Sequence, residues 1–439
     1  MRFFSPCSSN VRESERELIM GKMGFILRCL DRHIKGLRFL CVCEIDSYAP
    51  NNYQSMARAD LSAAKEAKKD EFYTKLDDIS KELKYYKQYF QDKVVLCNCD
   101  DPYESNFFKY FALNFNQLGL KKLIATCYDG SPVAGDELPL LFEIEETEPK
   151  KIAYKVEITE VQDYNNDGAV NLADVQFLIQ NDKNVLSLLK GNGSFDSSEC
   201  IELLKEADIV VTNPPFSLFR EYLALLDKYS KQFIIIGNTN ALTYKETFKM
   251  FKEDKIRTGY TNFNVGMFFQ VPDNWEKFHH IENGKKMARV STSCWFTNMP
   301  VAKHNEDLIL YKHYSPEEYP NYENYEAINV NTYTDIPCDF NGVMGVPITF
   351  LDKYNPEQFE IIELGIVGSC TFTNMRKMEI LDKEGKPTGK YTINAKGTLY
   401  RKYNPITDKV PAFRDTETGQ LYSSIYARIL IRNKKPQKP

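Results

Sequence analysis

The chain has 439 residues, 43% of them hydrophobic and 13% aromatic, and a formal net charge of -5. That is enough for two domains or one large α/β domain with insertions, and it excludes a protein that coats nucleic acid through bulk charge, so any polyanion contact must be local. The eleven cysteines are odd in number and lack C-x-x-C spacing; neither Cys41-x-Cys43 nor Cys97-x-Cys99 suits a zinc site, and free, mostly buried thiols in a reducing cytoplasm are expected.

Residues 1–55 read as an appendage to the fold. Their most apolar stretch, Phe25 to Cys43, is interrupted by Arg28, Asp31, Arg32, Lys35 and Arg38, which argues against a membrane span. Glu13, Glu15 and Glu17 ahead of it argue against a cleaved signal. Met56 opens a helical pattern and is a candidate translation start.

A charged helix is expected over Asp70–Tyr89, a strand at Val94–Cys97, an aromatic helix over Ser105–Phe115 and a second strand at Leu123–Tyr128. Strand, helix and strand at this spacing predict a βαβ unit with parallel pairing and a right-handed crossover. Ile152–Val161 reads as a strand and Leu172–Ile179 as a helix. Further strands at Asp208–Thr212 and Gln232–Gly237 complete a doubly wound α/β sheet whose working edge lies at the carboxyl ends of its strands.

After about residue 300 the pattern shifts to Tyr, Asn and Pro in short runs, with a polar hairpin at Met378–Ile393. The expected division is therefore an appendage over 1–55, an α/β domain over 56–300 and a smaller loop-rich recognition domain over 301–439, with a C-terminal strand returning to the core.

The segment richest in chemistry is Asn213-Pro214-Pro215-Phe216, directly after Ile209-Val210-Val211-Thr212. The two imino acids fix their own φ and restrain Asn213, leaving few geometries open. The Asn213 side-chain oxygen and the Pro214 carbonyl can then accept both hydrogens of one planar exocyclic amine, and Phe216 offers a face on which a base can stack. The bland alternative is a turn after a buried strand. At the end of the first strand, Asn98, Asp100, Asp101 and Pro102 place carboxylates where an amino-acid group or a ribose can be held, or simply make a turn before the N-cap Ser105. Asp129 ends the second strand, either as a ribose ligand or as part of Asp129-Gly130-Ser131-Pro132. No glycine-rich turn is present there to approach a pyrophosphate, which favours a cofactor without phosphates.

Asp163, Asn165, Asp167 and Asp174, with Gly168 between them, carry oxygen ligands at the spacing of a calcium loop. Asp174 replaces the usual final Glu, and a strand precedes the loop, so it resembles a single dockerin-like half-site holding structural Ca2+. A metal-free polar turn is the other reading. His279-His280 has no metal-binding partner spacing, and Lys121-Lys122, Lys285-Lys286, Arg401-Lys402 and Arg432 to Lys438 are basic stretches expected on solvated faces.

In order, Tyr73-Thr74, Cys97-Asn98-Cys99-Asp100-Asp101-Pro102 and Asn213-Pro214-Pro215-Phe216 resemble the motifs of S-adenosylmethionine-dependent adenine-N6 DNA methyltransferases, and specifically the EcoRI-type branch. The similarity runs from about Met56 to the end and includes Gly342 to Thr349 and Ala427 to Leu430. The resemblance implies a Rossmann-like methyltransferase sheet, with Tyr73 and Thr74 near the methionine end of the cofactor and Asn98 to Pro102 as the turn beneath it. It implies that Asn213 to Phe216 hold an adenine flipped from double-stranded DNA, with target recognition downstream. Ser194 stands where the family often carries an acid, leaving Phe195 or Asp196 to supply that contact. A companion restriction endonuclease is an expected partner. Rival readings are methylation of guanine N2 in RNA or of protein glutamine, and a non-catalytic calcium-stabilised binding module.

Overall fold

The computed structural model describes residues 73–99, 101–129, 153–181, 185–261, 265–271, 275 and 278–437. The expected appendage over 1–55, the pattern opening at Met56, Asp70 to Phe72 and Asp100 lie outside them.

In chain order, the strands nearest the candidate site are β1 (Tyr73–Thr74), β2 (Val94–Cys97), β3 (Lys122–Thr126), β4 (Tyr154–Ile158), β5 (Leu186–Leu188) and β6 (Ile209–Thr212). They continue with β7 (Gln232–Asn238), β8 (Arg257–Thr258), β9 (Met267–Val271), β10 (His280–Glu282), β11 (Lys285–Val290) and β12 (Ser293–Thr297). The largest sheet has the order β5-β4-β3-β2-β6-β7-β12-β8. Its middle, β3-β2-β6-β7, is parallel, and its flanks are antiparallel. β2 and β3 pair in parallel across the helix Asn106–Leu113, as the βαβ pattern predicts.

Continuous apolar runs suit strands buried on both faces. β2 and β6 are buried at every position, and their side chains alternate between two clusters. Val95, Cys97, Leu123, Ile209, Val211 and Ile234 pack with the aromatic helix Asn106–Leu113. Val94, Leu96, Ile124, Val210, Phe233 and Ile235 face the other way, toward Leu203, Leu204, Phe219 and Tyr222. Helices Ser198–Glu206 and Phe219–Lys228 supply those last four residues.

The elements differ from expectation in instructive ways. Tyr73 and Thr74, expected inside a charged helix, pair antiparallel with Gln270 and Phe269 of β9, and the helix is confined to Leu76–Leu83. An aromatic followed by a β-branched residue fits a strand better than a helix. The aromatic helix starts after Ser105, whose side chain accepts from the Phe108 amide, and stops at Asn114, whose side-chain amide donates to the Tyr110 carbonyl at 2.7 Å. Such side-chain competition for helix carbonyls weakens continuation.

Beyond residue 300 lie β13 (Ile328–Asn329), β14 (Met344–Pro347), β15 (Phe359–Leu364), β16 (Met378–Leu381), β17 (Pro387–Thr392), β18 (Leu399–Lys402), β19 (Phe413–Asp415), β20 (Leu421–Ile425) and β21 (Arg428–Asn433). They form the sheets β13-β14-β21-β15 and β17-β16-β19-β20-β18, the second containing the expected hairpin. Ile328, Met344, Phe350, Phe359, Ile429 and Ile431 belong to the same buried cluster as Val94, Val210 and Phe233. Among the described residues, no helix is long and apolar enough to cross a membrane.

Candidate active site

Three separated segments meet at the carboxyl ends of β2, β3 and β6. After β2 the chain turns through Cys99, whose φ of 68° is left-handed and costs a non-glycine residue about 1–3 kcal/mol. This turn is held from two sides. The Thr212 hydroxyl at the end of β6 donates to the Asn98 carbonyl, and the Tyr222 hydroxyl donates to the Asn98 side-chain oxygen. Asn98 is 2% exposed, so both bonds lie in the interior.

Asp101 closes the turn from below. One carboxylate oxygen accepts from the Tyr103 amide at 2.9 Å and from the Tyr154 hydroxyl of β4 at 2.8 Å, and the other faces the Cys127 thiol at 3.5 Å. Burial raises the Asp101 carboxyl above its ordinary value, opposed by these donors; burial and the Asp101 charge push the Tyr154 phenol up strongly. Asp101 therefore braces β2 against β3 and β4. Pro102 follows it, buried, in the turn leading to Ser105.

β1 joins the group through its backbone. The Asn106 side-chain amide donates to the Thr74 carbonyl at 2.7 Å, tying β1 to the first residue of the helix after the turn. Thr74 is 2% exposed, and its hydroxyl has no hydrogen-bond partner among the described residues. A buried orphan hydroxyl is unfavourable by about 1–3 kcal/mol and is a natural contact for a polar ligand.

Asn213, Pro214 and Pro215 are buried immediately beyond β6, and Asn213 is 4% exposed. Phe216 is half-buried and meets Phe269 edge-on, with ring centroids 6.4 Å apart. Phe269 is the residue paired with Thr74, so the tetrapeptide and β1 share one neighbour. A short 3-10 turn over Phe216–Leu218 and an α-helix over Phe219–Lys228 follow.

At the end of β3, the Asp129 amide donates to the Asn192 carbonyl at 2.9 Å, which brings the 192–196 segment over this strand. Gly193 permits that approach: its φ is +74°, and a Cβ there would lie 2.2 Å from the Cys127 carbonyl oxygen. Phe195 turns inward, edge-on to Tyr222 at 5.0 Å, whereas Asp196 is exposed and accepts from the Ser194 hydroxyl. Of these two, Asp196 presents the charge outward.

The 163–174 loop stands apart from this convergence. The Gly168 amide donates to Asp163 at 2.7 Å, the Asp167 amide to Asn165 at 2.9 Å, and the Ala169 amide to Asp167 at 3.0 Å. Asp174 accepts from the amides of Tyr164, Asn165 and Asn171, and the Asn171 amide above all holds its carboxyl below the ordinary value. The loop thus closes on its own amides ahead of the helix Leu172–Asn181.

Of the basic stretches, Lys122 pairs with Glu157 and Glu206, Arg401 with Asp408, and Lys285 with Glu104. These cations are partly neutralised in place. Sequence reasoning missed Thr212, Tyr222, Asn106 and Tyr154 as supports. The signal for Tyr222 was present, since it follows Phe219 by one turn and precedes Leu226 by another on the buried helical face.

The chain matches the family model described as adenine-specific methyltransferase EcoRI over residues 60–434. It is 46% identical over 327 residues to the type II methyltransferase M.EcoRI of Escherichia coli, an alignment covering 71% of this chain and 94% of that protein. It is 38% identical over 312 residues to the type II methyltransferases M.MgeORF184P of Mycoplasma genitalium and M.MpnI of Mycoplasma pneumoniae, covering 69% of this chain and 85% of each. No solved structure matches. With the motif order, the convergence of the three segments and a match spanning most of its length, the chain belongs to the EcoRI family of adenine-specific methyltransferases.

Proposed function

We propose that this methyltransferase modifies N6 of an adenine extruded from double-stranded DNA, with Asn213 to Phe216 as the socket for the base. The observation that carries this reading is the tethering of Asn98 to Thr212, immediately before Asn213, which fixes the turn after β2 against the tetrapeptide. S-adenosylmethionine, the donor implied by the family, supplies a methyl group on a positively charged sulfur. The residues fit such a ligand: the orphan Thr74 hydroxyl offers a polar contact beside the turn, and Asp129 stands at the end of β3, while Asp196 lies exposed on the adjoining 192–196 segment. Tyr73, Thr74, Asn98, Asp100, Asp101 and Pro102 are its proposed cradle, with Asp101 acting chiefly as the brace described above and Phe195 through the Tyr222 contact.

In the socket, the Asn213 side-chain oxygen and the Pro214 carbonyl accept the two amine hydrogens and draw the nitrogen lone pair out of conjugation. Extraction of the base costs a few kcal/mol, and stacking on Phe216 offsets roughly 1–3 kcal/mol of it. Holding the base beside the donor would lower the barrier to transfer by proximity, without a covalent enzyme intermediate.

The parallel strands and their two packed faces support a Rossmann-like, doubly wound reading of the large sheet. Residues 301–439 are proposed to read sequence from base edges, with a companion restriction endonuclease and a cytoplasmic location following from a restriction-modification role. Structural Ca2+ at Asp163, Asn165, Asp167 and Asp174 is tested by calorimetric titration; absence of saturable heat leaves the loop as a self-closed turn. The test of function compares methyl transfer to adenine-containing duplex DNA, RNA and protein. Transfer to duplex DNA that is lost in Asn213→Ala supports the reading, and preferential transfer to RNA guanine or protein glutamine refutes it.

A further inference from the structure

We propose that His313, Cys338 and Asp339 form a second, non-catalytic site for a borderline-soft divalent cation of the zinc class. The three residues come from two short segments, and their ligand atoms all lie within 4.8 Å of one another. His313 Nδ1 is 3.0 Å from Asp339 Oδ2 and 3.8 Å from Cys338 Sγ. Ligands in a tetrahedral zinc shell, with metal–ligand bonds of about 2.0–2.3 Å, stand roughly 3.3–3.6 Å apart. The two separations from His313 bracket that range and the third is at most 4.8 Å, so rotations of these side chains would bring all three onto one cation.

The backbone fixes this arrangement in advance. Lys312 bridges Pro337, the Cys338 amide donates to the Lys312 carbonyl at 2.8 Å, and the Tyr314 amide donates to Asp339 Oδ1 at 2.8 Å. The Gln437 amide donates to the Cys338 carbonyl at 2.8 Å, so the C-terminal segment is fastened to the same point. Thiolate, imidazole and carboxylate together select zinc-like ions over magnesium or calcium. Cys338 is 2% exposed whereas the His313 side chain is 74% exposed, which leaves the fourth position to water. Tyr314 and Phe340, neighbours of the ligands, line a cavity of about 980 Å³, and a bound cation clips its wall.

The test uses the full-length reduced protein, stripped of metal by a chelator and titrated with Co2+. One equivalent should give a near-ultraviolet thiolate-to-cobalt band and visible bands of a four-coordinate ion, both bleached by Zn2+. His313→Ala, at an exposed position that leaves packing intact, should weaken Co2+ binding at least about tenfold, and Cys338→Ser should abolish the thiolate band. Because Cys338 is buried, Asp339→Asn provides a further arm, expected to weaken Co2+ binding, and Cys370→Ser should leave the spectrum unchanged. No thiolate band in the parent protein, or a band undiminished in His313→Ala, would overturn the proposal and leave only a His313–Asp339 hydrogen bond.

Discussion

Asn213 lies where an entirely buried strand gives way to two imino acids, and its neighbour Thr212 is bonded across the sheet to Asn98. Asn213→Ala keeps that strand and bond while removing one proposed acceptor for the amine. Loss of a single preorganised hydrogen-bonding group at a reacting centre lowers turnover on the order of 10²–10³-fold, and single-turnover transfer should show a drop of this size with cofactor affinity retained. Asp101 makes a different prediction. Its carboxyl is raised by burial, so it holds its proton more tightly folded than unfolded. Such a group's stabilisation is full below the unfolded value, about 3.9, and is lost as pH rises through the higher folded value. Asp101→Asn keeps an acceptor for Tyr154 but cannot ionise. Its melting temperature, followed from pH 4 upward, should therefore decline less steeply than that of the parent protein.

Among elements, the 192–196 segment depends on the left-handed Gly193 pressed against the Cys127 carbonyl. Gly193→Ala must displace that segment from the end of β3, and calorimetry should show weaker S-adenosylmethionine binding, while a variant at the open Gly389 should not. His304 gives a pH signature from the 3-10 turn Ala302–Asn305. Burial first, then the charge of Lys303, depresses it to about 4. A depressed histidine contributes stability that is present above the unfolded value near 6.5 and is lost as pH falls through the folded one. Denaturant melts should thus lose up to about 3 kcal/mol between those limits, and His304→Gln should flatten the profile.

Elements whose pattern came from local composition were legible in the sequence: β2, the βαβ crossover, β6 and the 378–393 hairpin. β1 was not, because a two-residue strand is defined by its partner β9, nearly two hundred positions away. Asp101 shows the limit of what a local pattern carries. Its side chain is turned toward Tyr154 and Cys127, a long-range contact that no local pattern encodes.

For the whole molecule, one buried cluster runs from β2, β6 and β7 into the segments after residue 300 and ends on β21. β21 pairs with both β14 and β15, so deleting residues 428–437 would expose two strand edges and withdraw Ile429 and Ile431 from that cluster. Residues 73–437 should accordingly melt in a single calorimetric transition, and the truncation should lower its midpoint rather than release a separate one. The shared core also gives the later segments a fixed bearing on the end of β6. The most direct measurement is single-turnover methyl transfer from labelled S-adenosylmethionine to duplex DNA, run beside calorimetric cofactor binding, for the parent protein and Asn213→Ala. Label on adenine N6 that disappears in the variant while cofactor binding persists is the predicted result; undiminished transfer by the variant, or label on any other group, would contradict it.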